Sequence, residues 1–325
     1  MLIDPFGRTI DYLRISLTDR CNFHCVYCDP RTELTERRAR DPRGFLDTDA
    51  FVRVARIAAT LGVRKVKLTG GEPLLYRDLV ALVGRLAGTP GILDLSITTN
   101  GSRLEPLARP LHDAGLRRLN LSVDSLRPER FFRMTHGGDL GATLRAFELA
   151  RELGYRVKIN VVALEGWNAD ELDDFVRFAE TEDAEVRFIE FMPLCGPGWS
   201  PGLFVSATAM RERIRRHHAL EPLEGDGVAM RFATARGGRI GFITTMSDPF
   251  CDGCRRLRLT AWGALRPCLF SAREVDLRPL LVDGGDRDSA IAEALRHAVA
   301  MKPERNEVLA GVEDPRRLEI RSVGG

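Results

Sequence analysis

Cys21-Asn22-Phe23-His24-Cys25-Val26-Tyr27-Cys28 is the most informative stretch of this sequence. Its three thiols are spaced C-x3-C-x2-C and follow a short alternating segment from Tyr12 to Leu17. Thiols at this spacing can converge on one metal centre. A cubane iron-sulfur cluster has four irons, so three cysteines leave one iron without a protein ligand. The motif therefore predicts a cluster with one open, reactive iron.

Two other uses of clustered thiols, a zinc site and a disulfide knot, fit this motif less well. A structural zinc ion needs a fourth ligand, and His24 is badly placed for that role because it is adjacent to Cys25 in sequence. A disulfide knot would leave one thiol unpaired, and nothing in the sequence indicates secretion. With Tyr27 before its last cysteine, the motif resembles the signature of the radical S-adenosylmethionine (SAM) enzymes.

Length and composition restrict the remaining possibilities. The 325 residues predict about two domains, and 44% hydrophobic residues suffice for a packed core. A formal net charge of +2 is too near balance to indicate a nucleic-acid-binding protein. The sequence has no run of about 18 apolar residues, and residues 1–5 do not resemble a signal peptide. With seven cysteines and no export signal, we expect a cytoplasmic protein without a membrane partner.

Six short β-rich runs alternate with amphipathic helical stretches, at 12–17, 63–68, 92–98, 117–123, 156–163 and 185–192. Alternating βα units predict a parallel sheet with right-handed crossovers. One side of these strands is apolar, whereas the other carries Arg14, Lys67, Thr98 and Lys158. A sheet covered on both faces would be apolar on both. We therefore predict an α/β fold, an incomplete (β/α)6 TIM-type barrel around a polar cavity, and favour it over an open doubly wound sheet.

The predicted barrel spans residues 1–200 and the C-terminal region spans residues 201–325. Between them, residues 195–202 are rich in glycine and proline and are interpreted as a linker. Cys195 in this linker is interpreted as an incidental thiol. The arginine-rich residues 29–45 are expected to form a solvated loop.

Each predicted strand ends in a candidate site, as is usual for parallel α/β folds. The second strand runs into Thr69-Gly70-Gly71-Glu72-Pro73, where paired glycines let the backbone approach a ligand and offer it free amides and carbonyls. The fourth and sixth strands end near Ser122 and Met192. Any one of these segments alone is typical of an ordinary turn, but together they predict a ligand site.

A second cysteine group, Cys251, Cys254 and Cys268, has the spacing C-x2-C-x13-C. No histidine lies between the last two cysteines, which favours a second cluster with an open iron over a complete zinc site. Arg256 and Arg258 alternate, so both guanidinium groups project from the same side of an extended segment. They suit phosphate or a purine edge; charge balance against the thiolates is the alternative.

Further segments along the whole chain support a narrower resemblance: Asp4-Pro5-Phe6-Gly7-Arg8, Phe191-Met192-Pro193-Leu194, Pro249-Phe250-Cys251-Asp252-Gly253-Cys254, Arg256-Leu257-Arg258-Leu259-Thr260 and the terminal Gly324-Gly325. Together they resemble the GTP 3′,8-cyclase family of molybdenum-cofactor biosynthesis. The resemblance implies two 4Fe-4S clusters, held by Cys21, Cys25 and Cys28 and by Cys251, Cys254 and Cys268. It implies that the first cluster cleaves SAM, that the resulting 5′-deoxyadenosyl radical takes hydrogen from carbon 3′ of GTP, and that this carbon then attacks C8 of guanine.

The same resemblance implies roles for individual residues. SAM contacts fall on Tyr27, Gly71, Ser122 and Met192. GTP contacts fall on Arg14, Lys67, Thr98, Lys158, Arg256, Leu257 and Arg258, with Arg256 and Arg258 as catalytic residues. The terminal Gly-Gly is expected to enter the active site. Three departures from the family pattern are Lys67 in place of an arginine, Asp29 in place of a methionine, and a tail, Ile320-Arg321-Ser322-Val323, without a methionine.

The implied partners are GTP, an electron-donor protein and a downstream enzyme that takes the cyclised nucleotide, with no nucleic acid and no membrane. A homodimer is left open. The alternative function is a peptide-modifying radical SAM enzyme with an auxiliary cluster, which would not bind GTP.

Overall fold

The computed structural model describes residues 1–28, 44–194, 199–225, 228–282, 287–315, 318 and 320. The expectations for Asp29 and the rest of residues 29–43, for Cys195 and for the terminal Gly324 and Gly325 lie outside these residues.

Six parallel strands occur where the sequence predicts them, with ends that differ by at most two residues. They pair in chain order and are β1 (Tyr12–Ser16), β2 (Lys65–Thr69), β3 (Asp94–Thr99), β4 (Arg118–Ser122), β5 (Arg156–Ala163) and β6 (Glu185–Glu190). Their apolar side is buried, as predicted, from Leu13 and Ile15 in β1 to Ile159 and Val161 in β5. Leu93, which lies in the predicted run 92–98, precedes β3 and is exposed.

The same sheet contains strands that the sequence analysis did not predict. β9 (Arg239–Ile243) pairs in parallel with β6, and β10 (Arg256–Leu259) pairs in parallel with β1. Antiparallel strands extend both edges: β7 (Leu220–Leu223) and β8 (Met230–Thr234) beyond β9, and β11 (Ala264–Arg266) and β12 (Val275–Asp276) beyond β10. The C-terminal region therefore supplies both edges of the sheet.

Helices connect and cover the strands: α1 (Thr48–Thr60), α2 (Leu79–Ala87), α3 (Ala108–Asp113), α4 (Pro128–Thr135), α5 (Leu140–Glu152), α6 (Leu172–Thr181), α7 (Ala207–Arg215), α8 (Arg278–Val282) and α9 (Asp288–Ala300). α1 begins where the Asp47 carboxylate accepts the Ala50 N–H at 2.8 Å, a side-chain N-cap. Its predicted apolar face, including Phe51 and Val54, is buried. Among the described residues, no helix has the length and apolarity to cross a bilayer.

The register of β1 and β10 places the two cysteine groups at opposite ends of these strands. Cys21, Cys25 and Cys28 follow the carboxyl end of β1. Cys251 and Cys254 precede the amino end of β10, which lies parallel to β1, and the antiparallel β11 returns the chain to that end before Cys268. Residues 244–255, which connect β9 to β10, therefore carry two cysteines from one edge of the parallel strands to the other.

Candidate active site

A cavity of about 350 Å³ lies on the polar side of the sheet. It is lined by side chains from strands along the whole parallel region, from Arg256 and Arg258 in β10 to Arg187 in β6. Of the residues predicted to contact GTP, the structure brings six to this cavity: Arg14, Lys67, Thr98, Lys158, Arg256 and Arg258. Met192, predicted to contact SAM, also lines it. The alternation of apolar and polar residues in the strands therefore correctly predicted which face of the sheet carries the cavity.

The cavity is strongly basic. Among the described residues, two acidic side chains line it, Asp11 and Asp94, and they pair with Arg255 and Arg118 respectively. The same part of the chain contributes ten basic side chains: Arg14, Lys65, Lys67, Arg118, Lys158, Arg187, Arg231, Arg255, Arg256 and Arg258. Cations at this density repel one another and attract a multiply charged anion.

Burial and mutual repulsion lower the pKa values of several of these basic groups. Burial, followed by the charges of Arg14 and Arg187, holds the pKa of Lys67 well below its usual range. Burial likewise lowers the pKa of Arg258, and the neighbouring Arg14 lowers it further. In β1 and β10 these two arginines are direct register partners. A bound polyanion would stabilise the charged forms of all three side chains.

Three buried polar groups in the cavity make no hydrogen bond within the described chain. Two are Nε of Arg231 and Nη2 of Arg256, and the Arg256 guanidinium lies 4.7 Å from the ring centroid of Phe250. The third is Oγ1 of Thr245, a residue that sequence reasoning missed and that no sequence signal marked. Buried polar groups are normally satisfied, so these three indicate a site for a polar ligand.

Lys158 lines the cavity, but it is already paired. Its Nζ donates to Oε1 of Glu185 at 2.8 Å, and Oε2 of Glu185 lies 3.2 Å from Nη2 of Arg231. Burial lowers the pKa of Lys158 even though Glu185 opposes the shift. A phosphate bound by Lys158 would therefore compete with this carboxylate.

The Leu257 side chain does not reach the cavity, contrary to its expected place among the substrate contacts. Arg256 and Arg258 project from one side of β10, so Leu257 projects from the other and is fully buried in the hydrophobic core. A contact from Leu257 to a ligand could come only from its backbone.

Arg187 was missed by the sequence analysis. It reaches from β6 to the side-chain oxygens of Asn120 and Asn160, with an Nη2–Oδ1 distance of 2.7 Å to Asn160. Burial lowers its pKa to about 10. Its alternation with the buried Val186 and Phe188 would have identified it.

The paired glycines after β2 hold the backbone of the loop that leads to the first cysteine group. A Cβ on Gly71 would lie 2.2 Å from the carbonyl oxygen of Arg20, and a Cβ on Gly70 would lie 2.4 Å from that of Thr18. The Gly71 N–H donates to the Thr18 carbonyl at 2.6 Å. The Gly71 amide is therefore already used, and the expectation that it is free for a ligand is wrong. The glycines instead permit close packing of two backbones.

Glu72, the next residue, connects this loop to the end of β3. Its buried carboxylate accepts hydrogen bonds from the N–H of Leu74, the hydroxyl of Thr99 and the N–H of Asn100 at 2.6–3.0 Å. Burial raises the pKa of Glu72 to about 7 in spite of these bonds.

The first cysteine group includes one member of a hydrogen-bonded pair, the half-buried Tyr27 and the buried Asp124. The Tyr27 hydroxyl donates to Asp124 at 2.6 Å, and Asp124 also accepts the Val162 N–H at 3.0 Å. Burial raises the pKa of Asp124 to about 6. Burial, then the charges of Asp124, Cys28 and Cys21, raise the pKa of Cys25 well above its usual value. Thiols that disfavour each other's ionisation fit a site where iron supplies the positive charge. Ser122, the remaining predicted SAM contact, lies half-buried at the end of β4.

The second cysteine group lines a smaller cavity of about 60 Å³, together with Arg256, Arg258 and Thr245, which also line the larger one. The Phe270 N–H lies 3.4 Å from Sγ of Cys268. Burial would raise the pKa of Cys254, but the charges of Lys302 and Arg256 and hydrogen bonds from both residues lower it. Hydrogen bonds and cations at the sulfurs are the environment that iron-sulfur thiolates require, so this donor set fits a cluster. Within the described residues, no three Cys, His, Asp or Glu side chains form a group that could hold a single metal ion.

Comparisons with known proteins agree with this geometry. The Radical SAM superfamily model matches residues 15–179, and the model named Molybdenum Cofactor Synthesis C matches residues 184–308. A GTP 3′,8-cyclase of Pelotomaculum thermopropionicum is 40% identical over 331 residues, covering 99% of each chain. GTP 3′,8-cyclase 1 of Pseudomonas aeruginosa is 43% identical over 317 residues, covering 96% of this chain and 95% of its own.

Solved structures with much lower sequence identity have a similar fold. Streptococcus suis SuiB bound to S-adenosylmethionine is similar over 95% of this chain and 72% of its own, with a TM-score of 0.63 at 14% identity. The same protein bound to precursor peptide SuiA gives a TM-score of 0.64 at 15% identity, over 96% of this chain and 71% of its own. At these identities the likeness concerns the mixed α/β fold alone.

Proposed function

We propose that this chain, which belongs to the GTP 3′,8-cyclase family of the radical SAM superfamily, converts GTP to 3′,8-cyclo-7,8-dihydro-GTP for molybdenum-cofactor synthesis. One observation carries the proposal: a basic cavity shares Arg256, Arg258 and Thr245 with a second cavity lined by three cysteines. A nucleoside triphosphate supplies both the polyanion and the planar base that this pair of cavities would accept.

A radical SAM domain uses SAM and one 4Fe-4S cluster, which Cys21, Cys25 and Cys28 would hold here. Bound there, they would supply the 5′-deoxyadenosyl radical that takes hydrogen from carbon 3′ of GTP before that carbon bonds to C8. The chain's own contribution is placement. Tyr27, fixed by Asp124, and the backbone near Gly71 would position SAM, with Ser122 and Met192 as the other contacts.

A second 4Fe-4S cluster would occupy the smaller cavity on Cys251, Cys254 and Cys268. The hydrogen bonds to their sulfurs support this assignment. Because Arg256 and Arg258 line both cavities, we place the guanine of GTP at this boundary and the triphosphate among Arg14, Lys67 and Lys158. Thr98 and Arg187 line the space between, and Leu257 would contribute through its backbone.

The sheet is inferred to curve as an incomplete barrel. Support comes from Arg187 in β6 and Arg256 in β10, which lie at opposite sides of the parallel region but line one cavity. We divide the chain into a barrel of residues 1–200 and a C-terminal region of residues 201–325. β6 stays with the barrel because it pairs in parallel with β5. An electron-donor protein and a downstream enzyme that takes the cyclised nucleotide complete the proposal.

The test is an anaerobic preparation assayed for iron, GTP binding and product. We expect a brown protein with about eight irons per chain, two cubane clusters, that binds GTP and forms the cyclised nucleotide together with 5′-deoxyadenosine. A colourless, zinc-containing protein would refute the cluster assignment. A brown protein that cleaves SAM but does not bind GTP would refute the substrate assignment.

A further inference from the structure

Lys302 is a buried lysine that the proposed reaction does not use. It follows helix α9 and is 4% exposed. Its Nζ donates to the Arg256 carbonyl at 2.9 Å and to the Pro267 carbonyl at 2.7 Å, and it also hydrogen-bonds the Cys254 side chain. These three contacts of the ammonium group with described residues are all in the wall of the second cysteine cavity.

These contacts connect separate cysteine-bearing segments. Arg256 is two residues after Cys254, and Pro267 directly precedes Cys268. One ammonium group therefore bridges the beginning of β10 to the residue that directly follows β11. Without Lys302, two buried carbonyl oxygens would lose a donor, which is unfavourable in a protein interior.

The residues that follow Lys302 contact the segment of the third cysteine, Cys251. The Asn306 N–H hydrogen-bonds Cys251, and its side-chain amide donates to the Thr245 carbonyl at 3.4 Å. Arg8 donates to the Cys251 carbonyl at 2.9 Å and to the Pro303 carbonyl at 2.6 Å. Residues 302–306 thus contact all three cysteine segments, and Lys302 is the cationic side chain of this segment that faces the sulfurs.

The positive charge of Lys302 would also affect the reduction potential of a cluster bound at this site. A cluster on three thiolates becomes more negative when it is reduced, and its reduction potential depends on net charge, burial and hydrogen bonds to sulfur. A buried cation in hydrogen-bond contact with a ligand sulfur stabilises the reduced form more than the oxidised form. The other cations near this cavity, Arg8, Arg256 and Arg258, differ in that Arg8 is paired with Asp4 and the other two also line the substrate cavity.

We propose that Lys302 is a positioning residue for the C-terminal cluster, fixing the Cys254 and Cys268 segments and raising the reduction potential of that cluster through its charge. The proposal rests on the proposed function only in requiring a second cluster. It concerns neither GTP recognition nor SAM cleavage.

The experiment uses the full-length protein with both clusters assembled anaerobically, and compares wild type with Lys302→Gln, Lys302→Arg and Arg305→Gln. Gln keeps a donor but removes the charge, whereas Arg keeps the charge. Arg305 is an exposed cation three residues away and serves as the matched control. Iron is counted, and the potential of each cluster is measured by a redox titration followed by electron paramagnetic resonance.

We expect the Lys302→Gln variant to show a more negative potential for the C-terminal cluster, or to lose about four irons, with the N-terminal cluster unchanged. Lys302→Arg and Arg305→Gln should both retain the second cluster near its wild-type potential. An unchanged potential in Lys302→Gln at full iron content would overturn the proposal. So would loss of the second cluster in both Lys302 variants, which would reduce the role to folding alone. If the wild type itself held only one cluster, the proposed function would fail first, which separates the two failures.

Discussion

Removal of the Lys158 ammonium tests the basic cavity most directly, because the structure gives this group a competitor. Its Nζ is 2.8 Å from Glu185, and the two side chains are 26% and 7% exposed. A charge-assisted hydrogen bond contributes on the order of 1.5–3 kcal/mol, roughly 10- to 150-fold in affinity. Since part of the charge is already used by Glu185, we expect Lys158→Ala to weaken GTP binding by the lower part of this range.

The competing carboxylate adds a second, opposite effect. With Lys158 gone, Glu185 keeps Arg231 at 3.2 Å but carries more uncompensated negative charge beside the cavity. Two like unit charges about 8 Å apart repel each other by about 2 kcal/mol at an effective dielectric constant of about 20. Glu185→Gln alone should therefore maintain or strengthen GTP binding, and the double variant should recover part of what Lys158→Ala loses.

The assay is isothermal titration of GTP into anaerobic holoenzyme, with Arg177→Ala as a control that breaks an exposed pair with Asp174. Unchanged GTP affinity in Lys158→Ala would return this lysine to a purely structural role. Weakening by Glu185→Gln as large as that by Lys158→Ala would show that the carboxylate orients the lysine for GTP and does not compete with it.

Four further predictions use other parts of the site. Cys25→Ala and Cys268→Ser should each lose about four irons, and Cys25→Ala should also abolish 5′-deoxyadenosine formation; wild-type iron content in either variant would contradict the ligand assignment. Burial and neighbouring cations hold the pKa of Lys67 well below its usual range, so Lys67 loses its charge as pH rises through that lowered pKa. GTP affinity should fall over the same interval, and Lys67→Arg should retain activity and flatten the pH profile of the dissociation constant. Gly71→Ala, whose Cβ would lie 2.2 Å from the Arg20 carbonyl oxygen, should impair assembly of the first cluster; Gly84→Ala, whose Cβ would lie 3.9 Å from that of Ala114, should not, as iron counts would show. Deleting Gly324 and Gly325 should slow cyclisation with both clusters intact, and a wild-type rate would show that the tail lies outside the active site.

Local pattern was sufficient to predict much of the fold. The six central strands are visible as apolar runs, and their alternation placed Arg14 and Lys67 on the cavity side. These features depend on residues near one another in the chain. β9 and β10 were not predicted as strands of this sheet because each pairs with a strand far away in sequence, although the alternation of Arg256 and Arg258 in β10 was recognised.

The site was predicted less completely, for reasons of packing. The sequence identified Lys158 but not its pairing with Glu185, since the two residues meet only through the register of β5 and β6. It could not show that the Gly71 amide is used by Thr18 or that Leu257 faces the core while its neighbours face the cavity. The positions of Thr245 and Lys302 at the cavities could not be predicted from sequence, because they depend on contacts with residues distant in the chain.

The pairing of β1 with β10 also affects the order in which this protein can fold. It joins segments 244 positions apart, with Arg14 beside Arg258. During synthesis β1 leaves the ribosome early, but its second edge stays without a partner until nearly four-fifths of the chain has been made. Closing such a long loop is entropically costly, and an open strand edge is a site for aggregation. A chain truncated before β10 is therefore expected to aggregate and not to accumulate as an independent N-terminal enzyme.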